Sequence, residues 1–363
     1  MLTWPWRGAD TETYRIAVIP GDGIGVEVIS GGLTVLRRAA ELTGSFAIEP
    51  TEYPWSCEWY LAHGAMMPED GLEQLRDSDA IYLGAVGYPG VADHVSLRGL
   101  LLPIRVNFDQ YVNLRPIELF EGISGPLRDL GPSDLNILCV RENTEGEYAG
   151  IGGRFREGHP DETAIQTSVF TRRGIERVAR FAFEKARLRR RRLASATKSN
   201  ALQYTAVLWD EVVAQVADEF PDVEVTKYHI DALAAKFVSA PAALDVVVGS
   251  NLFGDILTDL GGALQGSLGL PAGANLNPER LFPSMFEPIH GSAPDIAGQG
   301  VANPMAAVWA GAMMLEHLGE QEAARIVMTE LRRVARDGPR TADLGGTATT
   351  AEVVQAITTA LER

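Results

Sequence analysis

Two aspartates, Asp255 and Asp259, stand four residues apart in Asn251-Leu252-Phe253-Gly254-Asp255-Ile256-Leu257-Thr258-Asp259, just after an apolar run that ends near Gly249. On a helix that spacing puts both carboxylates on one face, where they can share one cation. Carboxylate oxygens are hard ligands, suited to Mg²⁺ or Mn²⁺ rather than zinc. A capping aspartate followed by a solvated one is the competing explanation. Against it, Ile256, Leu257 and Leu260 leave the two charges in an otherwise apolar stretch, and Asp231, at the end of another strand, offers a third ligand.

Arginines form a second group. Arg105 and Arg115 lie in Pro103-Ile104-Arg105 and Arg115-Pro116, and Arg141 directly follows the strand-like Ile137 to Val140. Three guanidinium groups at strand or loop ends suit a bidentate grip on the carboxylates of a small di-acid. Two residues are candidates for moving protons. The segment Glu142 to Tyr148 supplies a tyrosine for a general acid, and Thr197-Lys198-Ser199-Asn200 sets a lysine just before a helix. There the dipole and nearby cations lower an ammonium's pKa toward that of a working base. Packing is the competing role for Tyr148, and plain solvation for Lys198.

Several other chemistries are absent. Gly21-Asp22-Gly23-Ile24-Gly25 follows a strand but lacks the Gly-x-Gly-x-x-Gly spacing, and Asp22 would set a negative charge near a pyrophosphate. A tight turn opening a helix explains these glycines at least as well. There is no Walker motif, no Gly-x-Ser-x-Gly elbow and no His-x-x-x-His metal spacing.

The elements that must position these groups follow from hydrophobic pattern. Short apolar runs, Ile16 to Ile19, Ala80 to Leu83, Ile137 to Val140, Val223 to Thr226 and Val246 to Val248, predict buried strands of an α/β fold. Helical spacing is found from Ile24 to Ala39 and is expected at Thr171 to Arg187, Gln203 to Phe220 and Val301 to Leu318. The glycine-rich stretch from Gly146, followed by the β-prone Thr163 to Phe170, predicts a protruding β arm. Gly261 to Pro278, rich in small residues, predicts a passage between domains. The basic run Arg187 to Arg192 is expected to be a solvated helix end complementing the dipole.

With 363 residues the chain is long enough for two domains, and 46% apolar with 22% charged residues is a globular composition. A formal charge of -16 repels nucleic acid and anionic lipid, so an anionic substrate needs a local cationic pocket. Cys57 and Cys139 form no Cys-x-x-Cys pair or disulfide framework, which fits a reducing cytoplasm. Met1 to Gly8 lacks the apolar core of a signal peptide, and no run approaches the length of a membrane span.

Three long motifs resemble one family in its own order: Arg141-Glu-Asn-Thr-Glu-Gly-Glu-Tyr148, Asn251-Leu-Phe-Gly-Asp255-x3-Asp259, and Glu287-Pro-Ile-His-Gly-Ser-Ala-Pro-Asp295-Ile-Ala-Gly. They are similar to the signatures of the NAD(P)-dependent decarboxylating dehydrogenases that include isocitrate and 3-isopropylmalate dehydrogenases. The resemblance spans nearly the whole chain. Within the family, Tyr53 to Cys57, His63 to Pro68 and Leu100 to Pro116 are most similar to the group acting on tartrate and D-malate.

The resemblance implies an α/β, isocitrate/isopropylmalate dehydrogenase-like two-domain fold that is not a Rossmann fold. A nucleotide-binding domain would take residues 1–109 and 266–363. A dimerisation, substrate and metal domain would take 110–265, with the arm at about 149–171. Arg105, Arg115 and Arg141 match substrate-carboxylate ligands, with Arg98 and Leu100 bordering the variable C3 substituent. Tyr148 matches the proton donor, and Lys198 and Asp231 match residues lent to the partner's site in a homodimer. Asp231, Asp255 and Asp259 match the metal ligands, for Mn²⁺ or Mg²⁺, and a monovalent cation such as K⁺ is a further possible requirement. Nucleotide contacts fall on Glu287, His290, Gly291, Ser292, Ala293, Asp295 and Asn303, with NAD as cofactor. Two positions depart from the pattern: Arg98 replaces an acidic residue or a tryptophan, and Val106 replaces a basic one.

The implied activity is metal-dependent, NAD-linked oxidation, with or without decarboxylation, of a small 2-hydroxy dicarboxylic acid. D-malate would give pyruvate, CO₂ and NADH. The alternatives are oxidation of 3-isopropylmalate and, from another class, a non-catalytic regulatory subunit.

Overall fold

The run Ile16 to Ile19 lies inside strand β1 (Glu12–Gly21), and the glycine turn after it opens helix α1 (Gly25–Thr43). This computed structural model describes residues 12–128 and 130–362, so the segment Met1 to Gly8 lies outside them. Helix α1 buries Val28, Ile29, Val35, Leu36 and Ala39, and stops at Gly44, whose φ of 64° suits the left-handed end of a helix. The chain continues through β2 (Phe46–Glu52), α2 (Cys57–His63), α3 (Gly71–Arg76), β3 (Ala80–Ala85) and α4 (Asp93–Ser96). These elements belong to a first unit, made of the residues up to Leu101 together with those from Phe282 onward.

A second unit, Leu102–Leu281, opens with α5 (Leu102–Asn107), β4 (Val112–Glu118) and β5 (Asn136–Glu142). Strands β6 (Gly146–Phe155) and β7 (Thr163–Val169) then pair antiparallel as a separate two-stranded sheet, with Ile151, Phe155 and Ile165 exposed. The segment expected to form an arm is thus a β-hairpin. It is followed by α6 (Arg172–Arg187), β8 (Arg192–Thr197), α7 (Thr205–Ala217), β9 (Glu224–His229) and α8 (Ile230–Ser239). Last come β10 (Val246–Gly249), α9 (Asn251–Leu264) and β11 (Ala272–Leu276). The strands of this unit lie in the order β11-β4-β5-β10-β8-β9. The first two pairings are antiparallel and the other three parallel. All four residues of β10 are buried, as a run covered on both faces requires.

The chain re-enters the first unit at β12 (Ser284–Pro288), parallel to β3, and ends in α10 (Met305–Leu318), α11 (Gln321–Asp337) and α12 (Thr350–Leu361). Strand order in this unit is β2-β1-β3-β12, with the pairings of β1 to β2, β1 to β3 and β3 to β12 all parallel. The fold is thus mixed α/β. Helix α10 packs against both α1 and α11, which accounts for its many buried residues. Among the described residues no helix is long and apolar enough to cross a membrane. Cys57 and Cys139 are buried free thiols, both pushed up to about 12, chiefly by burial.

Three expectations need correction. The limits at 109/110 and 265/266 put α5 and β11 with the first unit, whereas both fold with the second, β11 because it pairs with β4. The strand placed at Val223 to Thr226 runs from Glu224 to His229; Lys227, Tyr228 and His229 hid its second half. The basic run is not simply a solvated helix end. Arg189 Nε donates to Asp245 Oδ1 at 2.8 Å, and Arg190 N donates to Asp245 Oδ2 at 2.8 Å. Asp245 is fully buried, so two of these arginines neutralise a carboxylate that would otherwise be costly to bury.

Candidate active site

Helix α9 presents the aspartate pair. Its N-cap Ser250 accepts a hydrogen bond from Phe253 N, and the Glu147 carboxylate accepts one from Leu252 N at 3.2 Å. A cap of this kind is worth about 1 kcal/mol, and a negative charge at a helix N-terminus adds to it. The start of α9 is therefore fixed from the base of the arm, and with it the direction of Asp255.

Three side chains converge on Asp255. Arg141, only 2% exposed, pairs with it through Nη1. Tyr148 Oη donates to Asp255 Oδ2 at 2.9 Å, and Arg115 Nη2 lies 3.7 Å from Asp255 Oδ1. Burial works to raise the Asp255 pKa, but the charges of Arg141 and Arg115 outweigh it and hold the carboxyl below its ordinary value. Burial together with the Asp255 charge raises Tyr148, so its phenol keeps its proton at neutral pH. Burial lowers Arg141 to about 10, and the like charges of Arg115 and Arg105 add to the effect. Arg105, 6% exposed, is thus close enough to be felt by Arg141 and Asp255.

Asp259 lies one turn along, with Arg115 Nη1 at 3.5 Å; the same nitrogen donates to Thr258 Oγ1 at 3.0 Å. Desolvation raises the Asp259 pKa, and the Asp255 charge adds to it while Arg115 opposes it. Two carboxylates on one helical face, one raised by the other, are the donor set a divalent cation relieves, so these residues fit such an ion. Among the described residues no three His, Cys, Asp or Glu side chains gather at one point. Within one chain Asp231 therefore stands apart from the pair. It instead accepts from Lys198 Nζ at 3.0 Å, a contact that lowers the Asp231 pKa.

The acidic residues around Tyr148 turn inward. Glu142 accepts from Thr144 N and Glu145 N, Glu145 accepts from Thr171 N and Oγ1 at the start of α6, and Glu147 holds α9. Tyr148 and Arg141, the two ends of the motif, are the members that reach Asp255. Two residues with no role assigned from sequence, Asn113 and Asn251, touch the arginines: Arg115 Nε donates to Asn113 Oδ1 at 2.8 Å, and Arg141 Nε to Asn251 Oδ1 at 3.0 Å. Nothing in the spacing of Asn113 marked it; Asn251 was visible as the first residue of its motif.

The nucleotide candidates belong to the first unit. Glu287, next to last in β12, is buried, Gly291 and Asp295 are exposed, and Ser292 is buried. Ser292 O accepts from Ile24 N at 2.8 Å, and Ala293 adopts φ 40°. His290 Nδ1 meets Gly291 O at 2.9 Å, and burial lowers its pKa. Asn303 Oδ1 accepts from Met305 N at the start of α10, and its Nδ2 donates to Asp343. The glycine turn supports this loop from below. A Cβ on Gly23 would stand 2.0 Å from Ser292 O. Asp22 is turned inward, accepting from Cys57 N and Gly87 N at 3.0 Å, so it braces the turn rather than facing a ligand. Arg98 is exposed and Leu100 fully buried.

A mixed α/β unit in which arginines and a tyrosine of its strands meet paired aspartates on one helix suits a small anionic substrate beside a divalent cation. The chain belongs to the isocitrate/isopropylmalate dehydrogenase family, whose profile matches residues 15–357. Dehydrogenases of this family in general use NAD and a divalent metal. The chain is 54% identical over 354 residues to D-malate dehydrogenase [decarboxylating] of Escherichia coli (strain K12), covering 95% of this chain and 98% of that protein. It is 50% identical over 360 residues to tartrate dehydrogenase/decarboxylase of Pseudomonas putida, covering 97% and 98%. The crystal structure of isocitrate dehydrogenase from Methylococcus capsulatus superposes with a TM-score of 0.86 at 35% identity, covering 96% of this chain and all of that one.

Proposed function

We propose that this enzyme oxidises a small 2-hydroxy dicarboxylic acid, D-malate or tartrate, with NAD and Mn²⁺ or Mg²⁺, and that D-malate leaves as pyruvate and CO₂. The observation that carries this reading is the convergence of Arg141, Arg115 and Tyr148 on Asp255. High identity to proteins named for these two substrates supports it.

Arg105, Arg115 and Arg141 bind the two substrate carboxylates. Asp255 and Asp259, with Asp231 of the partner subunit, would hold the divalent cation. When bound, that cation would supply Lewis acidity and NAD would supply the hydride acceptor. Lys198 takes the hydroxyl proton, and its contact with Asp231 fixes where the side chain sits. Tyr148, protonated at neutral pH, donates to the carbon that loses CO₂.

Glu287, His290, Gly291, Ser292, Ala293, Asp295 and Asn303 form the nucleotide site. Asp295 accepts from the ribose hydroxyls and repels a 2′-phosphate, since no Lys or Arg occurs from Pro288 to Trp309. The enzyme works as a cytoplasmic homodimer with shared sites. Mixing Lys198→Ala with Tyr148→Phe protein tests the sharing: heterodimers regain part of the activity, and inactive verified heterodimers would contradict it. Oxidation of 3-isopropylmalate is less well supported, because Arg98 is a poor wall for an isopropyl group. A regulatory subunit is disfavoured by the presence of Tyr148, Lys198, Asp231, Asp255 and Asp259 together.

The direct test is NADH formation from a panel of 2-hydroxy di-acids by metal-stripped enzyme. Turnover of D-malate or tartrate that returns with added Mn²⁺ supports the proposal; turnover indifferent to chelator overturns it.

A further inference from the structure

Two buried arginines of the cluster, Arg115 and Arg141, are each gripped from behind by an asparagine. Asn113 and Asn251 are 0% and 1% exposed. Arg115 Nε donates to Asn113 Oδ1 at 2.8 Å, while Arg141 Nε and Nη2 both donate to Asn251 Oδ1, at 3.0 and 2.7 Å. Asn113 precedes Arg115 by two residues on β4, so both point to one face of the sheet. Asn251 precedes Asp255 by four on α9, so successive turns of one helix hold two edges of the Arg141 guanidinium.

The far ends of the amides are fixed too. Asn113 Nδ2 donates to Asn275 Oδ1 at 2.7 Å, and Asn275 Oδ1 also accepts from Asn143 Nδ2 at 2.9 Å. Asn251 Nδ2 donates to Glu145 O at 3.1 Å. These bonds set each amide's orientation, with the carbonyl toward the arginine. A carboxylate in the same place would orient a guanidinium equally well but would cancel its charge. The cluster already carries Asp255 and Asp259, so charge is what it can least spare.

We propose that Asn113 and Asn251 are positioning residues that aim Arg115 and Arg141 through neutral carbonyls, leaving both positive charges available to a dianionic substrate. The proposal rests on the reading of these arginines as ligands of the substrate carboxylates. It also explains why amides occupy two buried positions where an apolar residue would leave buried guanidinium N–H groups without an acceptor.

Asn113→Asp and Asn251→Asp keep an acceptor oxygen and add a charge; Asn113→Ser and Asn251→Ser remove the contact without adding one. Steady-state kinetics with D-malate, NAD and Mn²⁺ should show the KM for the di-acid raised on the order of tenfold in either kind of variant, with kcat changed less and the KM for NAD unchanged. The serine variants keep the test open if a buried aspartate prevents folding. An unchanged di-acid KM in folded variants, or a lowered melting temperature with all kinetic constants intact, overturns the proposal. Arg115→Gln and Arg141→Gln are assayed alongside. If they raise the di-acid KM and the asparagine variants do not, positioning alone fails; if they leave it unchanged, the substrate reading and the positioning fall together.

Discussion

The two units build their candidate sites by opposite means. In the second unit the candidate site is made of ionised side chains, Arg115, Arg141, Asp255 and Asp259, each held by other side chains. In the first unit the segment from His290 to Asp295 is held mainly through its backbone. Ser292 O is bonded to Ile24 N, and the turn beneath it is braced by Asp22 on two backbone amides. A site for a small dianion has few atoms to recognise and needs concentrated charge. A nucleotide site meets a larger, partly apolar ligand, which shape and one or two polar groups can select. Substitutions in the second unit should therefore be severe and specific to the di-acid, and those in the first milder and specific to the nucleotide.

The largest effect is expected at Arg141. Arg141→Gln leaves Asp255 without its closest cation and the di-acid without a ligand, costing roughly 3–5 kcal/mol, about a hundred- to thousandfold or more in kcat/KM. NAD affinity by fluorescence titration should stay unchanged; loss of both affinities together would break the contrast between the units.

Next comes the nucleotide loop. Asp295→Lys with Ile296→Tyr should move the NADP over NAD preference in kcat/KM by on the order of a hundredfold, through lost repulsion and altered ribose contacts. The KM for D-malate should not move. A wild-type enzyme indifferent between the two cofactors would show that Asp295 does not face the ribose.

The smallest effect concerns His290, whose burial holds its pKa below the ordinary 6.5 in the folded chain. The unfolded chain then binds more protons as the pH falls through 6.5. The stability associated with neutral His290 is therefore present above that pH and is lost below it. Thermal melts between pH 7.5 and 5.5 should show a fall that His290→Gln makes shallower. An identical pH slope in the variant would mean that burial of this ring does not limit stability.

Much of the second unit was legible because its chemistry coincides with periodicity. Asp255 and Asp259 share a face of α9 as their spacing predicts, and the arm follows from its glycines and β-prone residues. What escaped was whatever depends on the partner a side chain meets. Glu142, Glu145 and Glu147 look alike in sequence, yet they tie down a turn, the start of α6 and the start of α9. The run Arg187 to Arg192 is basic on paper but partly spent on Asp245, more than fifty residues away along the chain. The contact of Asn113 with Arg115 follows from their shared strand face, but only once β4 itself is recognised, and Pro116 obscured that strand. Helix α10 begins at Met305 rather than at Val301, because Pro304 sits at its entry.

The claim on which the rest depends is that the arginine and aspartate cluster serves a small di-acid. It is tested most directly by comparing kcat/KM for D-malate and 3-isopropylmalate on one preparation with saturating NAD and Mn²⁺. The account predicts that D-malate is the better substrate, by at least the factor of about 10 to 200 that a poor fit of a small apolar group costs. A higher kcat/KM for 3-isopropylmalate would contradict it.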